Sequence, residues 1–161
     1  FGTGTFLDTA RLQRAVGAHF GEAPQNVSGF VLGEHGNSQF SAWSTVRLDG
    51  QPISQFADAG KFDLEKLDEE IRQSAFTVVA GKGYTSTAIA TCAVRIVEAI
   101  FNDKHEFMPA SVYLEQFGTY IGYPAVIGKN GVEKIVPVKL PADEAEKLAA
   151  SAKTIKEKED A

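Results

Sequence analysis

NVSGFVLGEHGNSQFSAWSTVRL, residues 26–48, holds two β-type runs on either side of a glycine-flanked histidine. Asn26–Leu32 is rich in β-branched and aromatic residues, and Phe40–Leu48 alternates apolar with polar positions, the period of a half-buried strand. Asp49-Gly50 then gives a two-residue hairpin signal leading into Gln51-Pro52-Ile53. Upstream, Leu12, Val16 and Phe20 recur at four-residue steps with Gly21 as a stop. That spacing predicts a helix from Asp8 to about His19 with Asp8, Arg11 and Arg14 along one side. Downstream, Asp63 is a predicted N-cap for a helix burying Leu64, Leu67, Ile71, Ala75 and Val78 and ending near Gly81.

Thr85–Asn102 is apolar on nearly every side, interrupted only by Arg95 and Glu98, and reads as a helix buried in the domain or against another subunit. Strands are expected over Ala110–Leu114, Tyr120–Ile127 and Val132–Leu140, with a turn at Lys129-Asn130-Gly131. From Pro141 onward a helix buries Leu148, Ala152 and Ile155. Strands grouped as hairpins rather than alternating with helices predict an α+β fold with an antiparallel sheet, as one domain over residues 1–161.

The 161 residues are 43% hydrophobic and 23% charged, enough apolar content for a packed core. Sixteen Lys plus Arg against 21 Asp plus Glu leave a formal net charge of −5, which argues against a nucleic acid or an anionic membrane as partner. The single cysteine, Cys92, rules out an internal disulfide and reads as a buried thiol, so the expected compartment is the cytoplasm. The sequence shows no signal-type leader and no run long enough to cross a bilayer. Its opening, FGTGTFLD, lacks an initiator Met and reads as the start of a fragment.

Three motifs invite a chemical reading. GTGT at Gly2–Thr5 looks like the start of a dinucleotide fingerprint, but Leu7 replaces the third glycine and no strand precedes it, so a tight turn is the better reading. GKGYTS at Gly81–Ser86 lacks the order of a phosphate loop and reads as a helix break. GEHG at Gly33–Gly36 is more informative. Glycines on both sides of His35 let a ligand approach the backbone, and an imidazole with pKa near ~6.5 exchanges a proton at neutral pH. On this motif alone, acid/base catalysis and a plain surface histidine stand roughly even.

Asp8 and Arg11, at i and i+3, are by themselves an ordinary helix pair. Their value depends on His35. A buried Asp that accepts from an imidazole fixes its tautomer, and a neighbouring Arg offers a forked donor to a carboxylate. Neither His19 nor His105 stands at ligand-like spacing from His35, so no metal site is expected, and a metal-dependent hydrolase built on Glu34-His35 lacks ligands.

Taken in order, GTGTFLDTAR, GEHGNS and GKGYTSTAIA resemble the C-terminal, substrate-binding half of the L-lactate/malate dehydrogenase superfamily over essentially the whole chain. LDTARLQRAVG, NVSGFVLGEHGNSQF and AWSTVRLDGQPI are most similar to its L-2-hydroxyisocaproate branch. The resemblance implies an antiparallel sheet packed with long helices and no Rossmann domain in this chain. It implies NAD, bound mainly by that missing N-terminal domain, a small 2-oxo or 2-hydroxy acid substrate such as pyruvate, and a homodimer or homotetramer. It also implies that His35 is the acid/base, Asp8 its orienting carboxylate and Arg11 the carboxylate-binding residue. Thr85 would line the substrate pocket, and Thr3 and Ile89 would lie near the cofactor.

Several positions depart from the family pattern: Thr3 where Ser is common, Asn37 where Asp is common, and Thr87 where lactate-type enzymes tend to carry Trp. Thr87 hints at bulkier 2-oxo acids. Gln13 and Ser28 replace the Arg and His typical of enzymes activated by fructose 1,6-bisphosphate, so no such activation is expected. Within the superfamily malate dehydrogenase is the alternative; outside it, a non-catalytic assembly module.

Overall fold

The computed structural model describes residues 1–56 and 63–160. Helix α1 spans Phe6–Phe20, two residues longer at its start than the periodicity predicted. Gly4 turns the chain at φ +50°, which lets Phe6 N–H donate to Thr3 O and Thr9 N–H to Thr5 O. A Cβ on Gly4 would stand 2.5 Å from the Ser111 backbone N, so only glycine permits this start. Gly21 closes the helix in the left-handed conformation, as its sequence position predicted.

Two three-stranded antiparallel sheets follow. The first comprises β1 (Val27–Leu32), β2 (Phe40–Leu48) and the short β3 (Gln51–Pro52). Both Asp49 and Gly50 have positive φ, the geometry of the turn that their sequence signalled. The second comprises β4 (Glu106–Leu114), β5 (Thr119–Gly128) and β6 (Gly131–Ile135). β4 begins before Pro109, not after it as expected. Ser111 N–H points away from β5 to Gly2 O, and Gly122 N–H points away from β4 to Gly33 O. By the two-residue period, the paired Pro109 and Pro124 also face away from their shared ladder, which loses no bond to either proline.

β6 stops at Ile135 instead of reaching Leu140. Val136 N–H still bonds to Pro124 O, but Pro137 has no N–H, and Val138 N–H donates to the Tyr123 hydroxyl, so the chain leaves the ladder.

Helix α2 is Leu64–Lys82, with the Asp63 carboxylate accepting from Lys66 N–H at 3.0 Å as an N-cap. Leu67 and Ile71 are buried, but Val78 is 45% exposed, so the predicted apolar stripe does not stay covered to the helix end. The Ala75 side chain lies outside the described residues. Helix α3 is Thr87–Phe101, leaving Thr85 in the preceding loop. It buries Cys92, Ile96 and Ala99, whereas Val94, Val97 and Phe101 are exposed, so within the described residues it is covered on one side and not all round. Helix α4, Ala142–Glu159, buries Leu148 and Ala152 as predicted, together with the polar Glu144 and Ser151, which the pattern did not foresee.

One apolar cluster joins the second sheet to α3, α4 and the near ends of β1 and β2, through Leu32, Phe40, Met108, Ile121 and Leu148. Another packs α1 and α2 on the first sheet through Leu12, Val16, Val46 and Ile71. The sheets meet where Gly33 and Gly122 exchange N–H···O bonds of 3.1 and 2.9 Å. A Cβ on Gly122 would lie 2.7 Å from Gly33 O and 2.5 Å from the Thr5 hydroxyl oxygen. Gly122→Ala is therefore expected to cost about 1–3 kcal/mol, read as a lower urea midpoint. Gly2→Ala, which meets nothing within 4 Å, should stay within about 0.5 kcal/mol of the parent.

Candidate active site

Three features of α1 and β1 put the site together. Leu12 and Val16 anchor the inner side of α1, which keeps Asp8, one turn before Leu12, on that buried side, with Arg11 next to it at i+3. The Thr9 hydroxyl accepts Val31 N–H at 3.0 Å and ties the helix to β1. Gly33, at φ +101°, then carries the chain out of β1 and delivers His35 over the helix.

Asp8, 1% exposed, uses both carboxylate oxygens. Oδ1 accepts from Arg11 Nη1 at 2.8 Å, and Oδ2 lies 2.6 Å from His35 Nδ1. Burial pushes the Asp8 carboxyl up. The His35 hydrogen bond and charge, with those of Arg11, outweigh it and hold the group below its ordinary value. An ionised carboxylate only accepts, so His35 Nδ1 carries a proton and Nε2 is the atom left to give or take one. The bond to Asp8 is also the main reason the His35 pKa is raised; partial burial and Arg11 oppose it. The imidazole side chain is 59% exposed, open to a reactant.

A cavity of about 280 Å³ opens at this triad. Asp8, Arg11 and His35 form one wall, Gly36, Asn37 and Gln39 the loop side, and α2 closes it with Glu69, Arg72 and Gln73. The α2 wall was missed from the sequence, where this helix was read for its buried stripe alone. In the structure Arg72 and Gln73, three and four positions after Glu69 and off the buried stripe, both donate to its carboxylate. Arg11 spends an Nη1–H on Asp8, so the rest of its guanidinium fork can meet a planar anion beside His35.

The other candidates fall elsewhere. Thr85 is exposed in the loop between α2 and α3 and is not among the cavity-lining residues. Ile89 is half-buried against the larger apolar cluster. Thr3 is half-buried in the turn before α1, where its carbonyl accepts Phe6 N–H at 3.0 Å. In the GTGT turn, Gly2 N–H is used by Ser111 O, and Gly4 is pressed against the β4 backbone. Cys92 is buried, and burial holds its thiol above the ordinary range.

Among the described residues one group has metal-type donors within 4.8 Å of each other, Asp103, His105 and Glu133. His105 pairs through Nδ1 with Glu133 at 2.6 Å and through Nε2 with Asp103 at 3.4 Å, and Lys129 also faces Asp103. These ion pairs account for the group. None of the helices of the described residues is long and apolar enough to cross a membrane.

Comparison with known proteins gives a consistent result. The chain is 40% identical to L-lactate dehydrogenase 1 of Lactobacillus acidophilus, over 97% of this chain and 50% of that protein. It is also 40% identical to L-lactate dehydrogenase 2 of Clostridium acetobutylicum, over 96% of this chain and 51% of that protein. The chain spans about half the length of the curated relatives it matches. A lactate dehydrogenase crystal structure from a Medee basin deep-sea metagenome library superimposes with a TM-score of 0.90 and 34% identity, covering 96% of this chain and 52% of that one. The minor L-lactate dehydrogenase of Enterococcus mundtii, in its ligand-bound form, gives a TM-score of 0.90 at 30% identity over 96% and 52%. The model of the lactate/malate dehydrogenase alpha/beta C-terminal domain matches residues 5–161, and the chain belongs to that family.

Proposed function

We propose that this chain is the substrate-binding and acid/base half of an NAD-dependent L-2-hydroxyacid dehydrogenase, acting on lactate or a bulkier, branched-chain homologue. The observation that carries the proposal is the buried carboxylate of Asp8, shared between the His35 imidazole and the Arg11 guanidinium at the mouth of one cavity. Arg11 holds the carboxylate of a 2-oxo acid, which sets its carbonyl oxygen toward His35 Nε2. Protonated His35 donates to that oxygen as it becomes an alkoxide, and neutral His35 takes the proton back in the reverse direction. Asp8 keeps the ring in the tautomer that both directions need and stabilises the imidazolium.

The hydride comes from a nicotinamide cofactor. By resemblance that cofactor is held mainly outside this chain, so this half supplies substrate binding and proton transfer, and the isolated chain is expected to be inactive. Thr3, Ile89 and Thr85 are assigned to the cofactor and side-chain surroundings by resemblance. The proposed setting is cytoplasmic, as a homodimer or homotetramer.

Arg11→Lys in the full-length protein tests the carboxylate assignment. One ammonium cannot replace the bidentate fork, so KM for the 2-oxo acid should rise roughly 10–100-fold with a smaller change in kcat. An unchanged KM would remove Arg11 from substrate binding. A second reading, a non-catalytic assembly module, draws on the exposed Val94, Val97 and Phe101 of α3. Light scattering with NADH fluorescence titration separates the two: oligomers of this chain that bind no cofactor favour the module for the isolated half.

A further inference from the structure

His35 is held on one side by Asp8, but a ring bonded at one nitrogen on a glycine-flanked loop is not yet fixed in space. The residues at either end of the His35 loop supply the rest. Glu34 N–H donates to the Ser151 hydroxyl at 2.8 Å, across 117 positions of sequence. Ser38 donates its hydroxyl proton to Glu34 Oε2 at 2.6 Å, and the Ser38 and Ser151 hydroxyl oxygens are 2.9 Å apart. Lys158, near the end of α4, pairs with the other oxygen of Glu34.

The proton inventory leaves one arrangement. The Glu34 carboxylate only accepts, so the Ser38 proton is committed to it. The contact between the two hydroxyls therefore needs the proton of Ser151, donated to Ser38. The bonds then run in one direction: Glu34 N–H to Ser151, Ser151 to Ser38, Ser38 back to Glu34. Each hydroxyl donates once and accepts once, which satisfies Ser151 although it is fully buried. Lys158 and Ser38 hold the Glu34 carboxyl below its ordinary value, which keeps the acceptor ionised. Gly33 makes room for the ring, since a Cβ there would lie 2.6 Å from the Ser151 oxygen.

We infer that Ser151 and Ser38 are positioning residues for His35: with Glu34 they close a directed ring of three hydrogen bonds. The ring locks the backbone immediately before His35 and three residues after it, and makes α4 part of the catalytic apparatus. The inference rests on the reading of His35 as acid/base. No other described element than α4 brings a side chain into this ring.

The test uses the full-length protein and centres on Ser38, which is half-exposed and tolerates replacement better than Ser151. Ser38→Ala should lower kcat for 2-oxo acid reduction about tenfold while KM stays within about twofold, because proton transfer suffers from small misplacements and Arg11 is untouched. Ser38→Thr, which keeps the hydroxyl, should restore kcat. Ser151→Ala should match Ser38→Ala, and the double variant should be no slower than either single one, since opening the ring once is enough. Losses that multiply in the double variant, or wild-type kcat in a folded Ser38→Ala protein whose His35 Nδ1–H signal is also unmoved, would overturn the ring. The His35 Nδ1–H signal in protein carrying ¹⁵N-labelled histidine gives a readout independent of activity. It should broaden in Ser38→Ala and sharpen again in Ser38→Thr. If the signal follows this pattern while kcat does not, the ring stands and the acid/base reading of His35 falls; an unmoved signal refutes the ring.

Discussion

Replacing His35 by Asn in the full-length protein should lower turnover of 2-oxo acid reduction by about 10²–10⁴-fold, the usual worth of a positioned general acid. Asn is a suitable probe because its amide can still donate to Asp8 Oδ2, the partner that His35 Nδ1 meets at 2.6 Å. The buried carboxylate therefore keeps a donor and the loop keeps its anchor. What disappears is the titratable atom facing the cavity. In the proposed mechanism the alkoxide would then have to take its proton from water, and the loss should fall on kcat more than on KM, because the substitution leaves the proposed carboxylate contact of Arg11 untouched. NADH absorbance measures both parameters. Turnover within a few-fold of the parent would remove His35 from the chemistry.

The parts of this site that sequence made legible are those written in local code. The hairpin residues, the Asp63 cap and the Gly21 stop are short-range signals, and each appears where its chemistry placed it. Asp8 and Arg11 share a helix turn and His35 is marked by flanking glycines, but local spacing left each ambiguous, and it is the family resemblance that implied the three as one site. The α2 wall of the cavity was not legible, because the direction a polar helix side faces depends on what the opposite side packs against. Ser151 was invisible for a related reason. A serine in an Ala-rich helix reads as solvent-facing, and only the crossing of α4 over Gly33 makes it an acceptor for Glu34 N–H. The missed strand limits have the same origin: the register of β4 on β5 makes Pro109 harmless, whereas Pro137 takes β6 off its ladder.

Asp8→Asn is the sharper test of the electrostatics. Asp8 is almost fully buried and is the only described carboxylate touching both Arg11 and His35, so its loss leaves a guanidinium and an imidazole facing each other without an anion between them. Breaking a buried hydrogen-bonded charge pair commonly costs about 3–5 kcal/mol of folding stability, less here because His35 is open to solvent; turnover should fall separately, by up to about 10⁴-fold, as the imidazole loses the carboxylate that sets its tautomer and stabilises its charge. The direction of the pH dependence follows from the shifts. The His35 pKa is raised, chiefly by the bond to Asp8, so the protonated form that reduction requires persists to higher pH than an ordinary imidazole would allow. In Asp8→Asn that support is gone while Arg11 still opposes the charge, so the falling upper limb of the kcat/KM profile for reduction should move to lower pH. The contribution to stability has two edges. Asp8, depressed in the folded state, stabilises above the ordinary carboxylate range and loses that contribution as pH falls through its folded pKa. His35, raised, contributes below its ordinary value near ~6.5 and loses the contribution as pH rises through its folded pKa. The stability difference between parent and Asp8→Asn, followed by urea titration across pH, should thus shrink at both the acid and the alkaline side. A difference flat across that range, together with an unmoved kcat/KM limb, would mean that Asp8 anchors the helix without tuning the imidazole.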